Sequence, residues 1–392
     1  MTNIYEKALK AHEQWRGKID IHSKVTVQTK EDLSLAYTPG VAEPCRKIYE
    51  EPNKIYDYTW KGNTVAVVTD GTAVLGLGDI GPKAALPVME GKALLFKEFA
   101  GIDAIPICLD TKDPKEIISI IKAMAPTFGG INLEDISAPR CVEIERTLME
   151  ELDIPVFHDD QHGTAIVTIA ALINALKIVD KKVDEIRVVV SGTGAAGSAI
   201  IKMLNHFGVK NIVAFNIDGV LRKDSDQPLT FLEQEIAEIS NPTNFKGTLG
   251  EAMVGADVFI GVSAPKLVSK EMVASMNKGA IVFPMANPES EIDYQEAIDA
   301  GAVVVGTGRS DHPNQINNVL AFPGLFKGAF VARATKITEN MKLAAAKAIA
   351  EMIPEEELTS EYIIPSAFNR DLVDVIIEKV AEAAVQDGVI RA

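Results

Sequence analysis

Two residue patterns in this chain could do chemistry. The first is Gly192-Thr193-Gly194-Ala195-Ala196-Gly197, a G-x-G-x-x-G run placed directly after Arg187-Val-Val-Val-Ser and directly before an apolar helical stretch. In that setting Gly192 permits a tight turn, Gly194 lets backbone approach a pyrophosphate, and Gly197 lets the helix lie close to the strand. The helix start offers free N–H groups and a positive dipole end to phosphates. Strand, turn and helix together predict a dinucleotide site. The next strand ends at Val213-Ala-Phe-Asn216, where an NAD site usually carries an acid. Asn216 can hydrogen-bond a ribose hydroxyl but has no charge to repel a 2′-phosphate, and Arg222 and Lys223 follow closely. NAD is the expected cofactor, with NADP left open.

The second pattern is acidic. Glu134-Asp135 follows Gly130-Ile-Asn-Leu, and Asp159-Asp160 follows Pro155-Val-Phe-His. Both pairs fall where strands end, the place at which α/β folds hold ligands. Converging carboxylates without a nearby cysteine suit a hard cation, Mg2+ or Mn2+. Either pair taken singly is more often a solvated loop or a helix cap, and less often so when both share the same β/α setting. His158 and His162 flank the second pair and read as core or supporting histidines rather than ligands. A further glycine run, Gly76-Leu-Gly78-Asp-Ile-Gly81, sits in a longer loop with Asp70-Gly71-Thr72 and Pro82. It reads as a wall of the active-site cleft.

The elements that must position these groups alternate in type. Thr64-Val-Ala-Val-Val-Thr, Ala104 to Leu109, Gly130 to Asp135 and Pro155 to His158 are predicted strands. Helices are expected at Lys83 to Phe99, Pro114 to Met124 and Arg140 to Leu152. A long apolar helix, Gly163 to Val179, could join two domains. Beyond it the strands Arg187 to Ser191, Ile212 to Asn216, Asp257 to Ile260, Ala280 to Phe283 and Ala302 to Val305 alternate with helices, and Gly324 to Ile353 and Asn369 to Gln386 read as Ala-rich helix. The expected fold class is α/β: a C-terminal Rossmann-like, doubly wound parallel sheet plus an N-terminal α/β domain. The boundary is drawn as 1–162 and 163–392.

Bulk properties bound the partners. A chain of 392 residues, 47% hydrophobic and 24% charged, is long enough for two cores. The net charge of −16 repels phosphate backbones and anionic lipid, so neither nucleic acid nor membrane is an expected partner. It also means that an anionic substrate needs a local cation. Three widely spaced cysteines, Cys45, Cys108 and Cys141, argue against a disulfide framework and for a reducing cytoplasm. The N-terminus has no signal-peptide pattern, and no membrane span is expected.

Several blocks in this order resemble the malic enzymes, specifically the short bacterial and archaeal type: Tyr37-Thr-Pro-Gly-Val-Ala, Gly76-Leu-Gly-Asp-Ile-Gly, Pro87-Val-Met-Glu-Gly-Lys92, Asn132-Leu-Glu134-Asp135, Phe157-His-Asp-Asp160-Gln-His-Gly-Thr, the Gly192 turn, Asn287-Pro, and Asn317-Asn318-Val-Leu-Ala-Phe-Pro-Gly. The resemblance implies oxidative decarboxylation of L-malate to pyruvate and CO2. It implies Tyr37 as general acid and Lys92 as general base. It implies Glu134, Asp135 and Asp160 as metal ligands, with Asp159 a neighbour, and Asn287 and Asn318 at the substrate or nicotinamide end. It also implies at least a homodimer. Where large eukaryotic members carry a substrate-gripping arginine, this chain has Ala73, which leaves the carboxylate anchor unassigned. A base must be neutral near pH 7, and burial of Lys92 on an apolar helix is expected to lower its pKa. The rival readings are a Rossmann 2-hydroxy-acid dehydrogenase that does not decarboxylate, and a dinucleotide-binding protein without turnover, which predicts an incomplete Tyr, Lys and carboxylate set.

Overall fold

The computed structural model describes residues 3–74, 76–225 and 228–391. The N-terminal sheet comprises β1 (Thr64–Thr69), β2 (Asp103–Cys108), β3 (Gly130–Leu133) and β4 (Val156–His158), in the order β2-β1-β3-β4 with all pairs parallel. The C-terminal sheet comprises β5 (Arg187–Ser191), β6 (Asn211–Asn216), β7 (Gly219–Val220), β8 (Val258–Gly261), β9 (Ile281–Pro284) and β10 (Val304–Val305). Its order is β10-β9-β8-β5-β6-β7, parallel except for β7, which runs antiparallel to β6. In each sheet the order reverses beside one strand, β1 in the first and β5 in the second. These are the switch points at which parallel sheets open a crevice at their strand ends.

The strand sequences explain why both faces are covered. All six residues of β1 are buried, as expected of a continuous apolar run in a sheet flanked by helices on both sides. Val65 and Val67 point into one hydrophobic core, while Ala66 and Val68 point into another, the two-residue period of a strand.

The helix Asp159–Val179 lies between the sheets. It is long and apolar enough to cross a membrane by length and composition. Its apolar surface is instead used inside the protein: Ile166, Ile169 and Leu172 share a core with Val65 of β1 and Val188 of β5. The helix begins four residues earlier than its apolar pattern suggests, so Asp159 and Asp160 occupy its first turn rather than a loop. That placement suits acids, because the first-turn N–H groups and the helix dipole favour negative charge there.

The C-terminal tail is two helices, Phe322–Val331 and Glu339–Glu351, where the Ala-rich pattern reads as one, followed by Asp371–Gln386. The first of these returns to the N-terminal sheet. Phe322 and Phe326 meet Phe96 edge-on at centroid distances of 4.8 and 5.4 Å. At the other end of the chain, the helices Ile4–Trp15, Lys30–Ala36 and Ala42–Glu50 bury no residue. This N-terminal segment leaves Ile4, Tyr5, Leu9, Trp15, Ile21 and Leu35 more than half exposed.

Candidate active site

At the ends of β3 and β4 the two acidic pairs come together. One carboxylate oxygen from each of Glu134, Asp135 and Asp160 lies within 4.8 Å of the others. Local geometry sets this up. Asp135 adopts a left-handed backbone (φ 53°), a conformation that aspartate tolerates better than most residues. Its N–H donates to Asp160 Oδ2 at 2.8 Å, and its carbonyl accepts from Ala73 N–H at 3.0 Å. The turn carrying Asp135 is thereby tied both to the helix start and to the glycine-rich loop. Asn132, wholly buried on β3, donates from Nδ2 to Glu134 Oε2 at 2.9 Å.

Lys92 enters this cluster from the helix Pro82–Ala100. Its Nζ lies 2.6 Å from Asp159 Oδ2 and 3.0 Å from Glu134 Oε1, over the Phe322 ring at 4.3 Å. Asn318 Nδ2 donates to the same Asp159 oxygen. Burial disfavours the Lys92 ammonium, but the carboxylates of Asp159 and Glu134 outweigh it and hold the lysine above its ordinary range. Burial alone would have lowered it, as expected from its apolar helix. The anions that reverse the direction are the acids of the other pattern. Burial conversely pushes the Glu134 and Asp159 carboxyls upward, against the pull of Lys92.

Charge at this point is out of balance. Glu134, Asp135 and Asp159 are buried and Asp160 is half-buried, against one ammonium. Asp159 Oδ1 is also buried without a hydrogen-bond partner among the described residues. Such a set is costly to bury unless a cation joins it. The donors are all carboxylate oxygens, which fit a hard divalent ion. Gly163 is required here for space, since a Cβ would stand 2.0 Å from Asp159 Oδ1.

Behind the cluster sits Glu145, which sequence patterning did not single out. Its buried carboxylate accepts from the His158 backbone N–H (2.8 Å), Gln161 Nε2 (3.1 Å) and His162 Nε2 (2.9 Å), and Lys342 Nζ lies 3.0 Å from His162 Nδ1. Burial works against this charge, but His162 and Lys342 overcome it and bring Glu145 down to about 2. The network fixes the turn bearing Asp159 and Asp160. Glu145 is one acid among several on an amphipathic helix, so only its neighbours reveal it.

The second site opens at β5. Gly192 (φ 104°) could not carry a Cβ, which would meet Val262 O at 2.7 Å, and a Cβ at Gly197 would meet Gly192 O at 1.9 Å. Among the described residues nothing lies within 4 Å of a Cβ at Gly194, which faces open space. A cleft of about 1240 Å3 runs past Gly192, Thr193 and Gly194 to Asn216, Asp218 and Glu233. Ala138 and Pro139, three and four residues beyond Asp135, line its other wall. Ala195, Ala196 and Gly197 form the first turn of the helix Ala195–Phe207, its N-terminus at the cleft.

The remaining predicted residues are placed as follows. Asn216 is already engaged, donating to Glu233 Oε1 at 2.7 Å and accepting from Asp218 N–H at 2.9 Å. Arg222 is paired with Asp224, and Lys223 with Glu238. Asn287 follows β9, and its carbonyl closes on the glycine loop, where a Cβ on Gly76 would stand 2.9 Å from it. Leu75 lies outside the described residues. Tyr37 is 67% exposed at the end of the helix Lys30–Ala36. Among the described residues no hydrogen bond ties its side chain to the Lys92 cluster.

With this geometry in hand, comparison with known proteins is specific. Residues 16–149 match the family model "malic enzyme, N-terminal domain", and residues 161–385 match "malic enzyme, NAD binding domain". The chain is 60% identical over 375 residues to an NAD-dependent malic enzyme of Geobacillus stearothermophilus, covering 96% of this chain and 78% of that one. It is 55% identical to a bifunctional malic/malolactic enzyme of Bacillus subtilis, covering 99% and 95%. The crystal structure of an NAD-dependent malic enzyme from Thermotoga maritima superposes with a TM-score of 0.92 at 52% identity, covering 95% and 98%.

Proposed function

Because the chain belongs to the malic enzyme family, we propose that it converts L-malate to pyruvate and CO2, with NAD as the preferred oxidant and Mg2+ or Mn2+ held by Glu134, Asp135 and Asp160. One observation carries this reading: four clustered carboxylates and a single buried lysine at the strand ends, on a turn that continues into the wall of the dinucleotide cleft.

Bound in that cleft, the dinucleotide supplies the hydride acceptor, and a divalent cation among the carboxylates supplies electron withdrawal at the C2 oxygen during loss of CO2. The chain's own residues move the protons. Lys92 Nζ takes the proton of the malate C2 hydroxyl as C2 loses hydride. To do so it must first give up a proton, and Asp159 Oδ2, at 2.6 Å and with its carboxyl pushed upward by burial, is the adjacent acceptor. Asn318 orients that same oxygen. The bond from C3 to its carboxylate then breaks, and C3 takes a proton from the Tyr37 hydroxyl.

Tyr37 has to come from somewhere. It sits on an N-terminal segment whose first three helices bury nothing and whose large apolar side chains face outward. Exposed apolar surface of this extent marks an interface. The reading that accounts for both facts is a homodimer in which this segment docks on a second copy and brings Tyr37 to that copy's Lys92.

Preference for NAD is supported by Glu233. Burial is outweighed by its hydrogen bonds from Asn216 and Thr230, so the carboxyl stays below its ordinary range and charged within the cleft. The nearby cations Arg222 and Lys223 already have acidic partners. The deciding experiment is turnover of L-malate with Mn2+ and either NAD or NADP, with CO2 measured against NADH. One CO2 per NADH and faster reaction with NAD are expected. Hydride transfer without CO2 would return the reading to a non-decarboxylating dehydrogenase.

A further inference from the structure

Away from both sites, a cavity of about 190 Å3 lies where the residues before β1 and β3, the end of the helix Phe322–Val331 and Arg391 meet. Tyr56, Lys61, Phe330, Arg333 and Arg391 contribute its side-chain walls. Gly129 allows the walls to close, since a Cβ there would stand 2.2 Å from Lys61 O.

The charges around it do not balance. Lys61 is 7% exposed, and its Nζ donates to Ala125 O at 2.8 Å and Phe128 O at 2.6 Å, with no carboxylate in contact among the described residues. The Arg391 side chain is also 7% exposed. Its Nη1 reaches the carbonyls of Arg333 and Ala334 at 3.4 and 3.1 Å, and its guanidinium lies 4.7 Å from the Tyr56 ring centroid. Its Nη2 is buried and makes no hydrogen bond among the described residues. Among the described residues it pairs with Asp153 Oδ2 at 3.8 Å, on a side chain that is 85% exposed. Arg333 is already paired with Asp57. Burial brings Lys61 down to about 8, with Asp153 resisting and Arg391 adding to the fall. Two largely buried cations therefore line one cavity, and among the described residues their closest carboxylate is the solvated Asp153, 3.8 Å from Arg391; burial so weakly compensated is costly.

We infer that this cavity is a binding site for a small oxyanion, held by the Lys61 and Arg391 side chains that line it. Size limits the class. The cavity is smaller than the roughly 300–1,000 Å3 of pockets that bury drug-sized ligands, which excludes nucleotides and admits phosphate or a compact carboxylate. Charge-assisted hydrogen bonds from the two cations supply the affinity. The consequence is structural: a bound oxyanion ties Arg391, next to the Ala334–Ile390 bridge, to the segments that lead into β1 and β3, the middle strands of the first sheet.

The test uses the desalted full-length protein with NAD present to occupy the glycine turn. Inorganic phosphate is titrated by calorimetry and by thermal unfolding, against chloride of equal ionic strength, with succinate as a second probe. Saturable binding and a raised Tm are expected for the wild type, with affinity at least about tenfold weaker in Lys61→Met and Arg391→Gln. The same dependence on both side chains with succinate alone would assign the site to carboxylates within the proposed class. Lys61→Met loses two carbonyl contacts, and should it fail to fold, Arg391→Gln decides alone. Unchanged phosphate affinity in Arg391→Gln, or equal stabilisation by chloride, overturns the inference.

Discussion

Replacing Lys92 by methionine separates the two jobs the structure gives this side chain. Methionine keeps much of the volume over Phe322 but removes the ammonium that lies 2.6 and 3.0 Å from Asp159 and Glu134. Removing one partner of a buried ion pair costs about 3–5 kcal/mol, because the remaining charge is stranded. The lower half of that range is expected here, since burial already pushes the Glu134 and Asp159 carboxyls upward and a proton can replace the ammonium. Urea unfolding of the metal-free protein reads this loss. Mn2+ should then stabilise the variant more than the wild type, because the cation meets the same carboxylates without a competing positive charge. Loss of a positioned general base lowers turnover about 10^2- to 10^4-fold, or about 3–5 kcal/mol of barrier. Malate-dependent NADH formation at saturating Mn2+ reads that. Lys92→Arg keeps the charge but cannot serve as a base near neutrality, so it should recover most of the stability and little of the rate. A Lys92→Met protein that unfolds at the wild-type urea concentration, or turns over within tenfold of wild type, refutes the assignment.

Three other outcomes are expected. Mixing inactive Lys92→Ala and Tyr37→Phe proteins under conditions that exchange subunits should restore part of the activity if Tyr37 acts across a dimer; no recovery despite demonstrated exchange places Tyr37 within its own chain. Gly163→Ala forces a methyl to within 2.0 Å of Asp159 Oδ1, so about 1–3 kcal/mol of stability and much of kcat should be lost; a wild-type kcat would mean that Asp159 does not need its position. Glu235 joins Arg146 of the first domain to Lys202 of the second at 2.6 Å each, and hydrogen bonds from Arg146, against burial and with help from Lys202, bring its carboxyl to about 2. A depressed carboxylate stabilises fully above its unfolded value of 4.5 and loses the effect as pH falls toward about 2. Glu235→Gln should therefore cost up to about 1 kcal/mol at pH 7, discounted for solvent exposure, with the difference fading between those pH values; a difference independent of pH would assign the loss to packing.

Much of the scaffold was legible because it is written locally. The helices Pro114–Met124 and Ala195–Phe207 start and stop where proline, the glycine turn and the apolar period place them. Six consecutive buried residues in β1 follow from a run without polar interruption. The acids at the ends of β3 and β4 are visible for the same reason, since strand ends in a parallel sheet are where ligands are held. The start of the helix at Asp159 was less legible. Polar residues in its first turn hide the period that the apolar residues beyond Gly163 display.

The amino-acid order by itself determined the strand–turn–helix around Gly192, the alternation that builds two parallel sheets, and the positions of the acidic pairs along the chain. All are properties of residues within a few positions of one another. Tertiary structure alone decided that Lys92 is held charged rather than neutralised, that Glu145 braces the Asp159 turn, that Phe322 returns from the C-terminal half to lie beneath the lysine, and that Tyr37 faces outward. Each depends on groups brought within a few ångströms from distant parts of the chain. An ionisable side chain responds to burial and to the charges around it, and neither is set by its immediate neighbours in sequence.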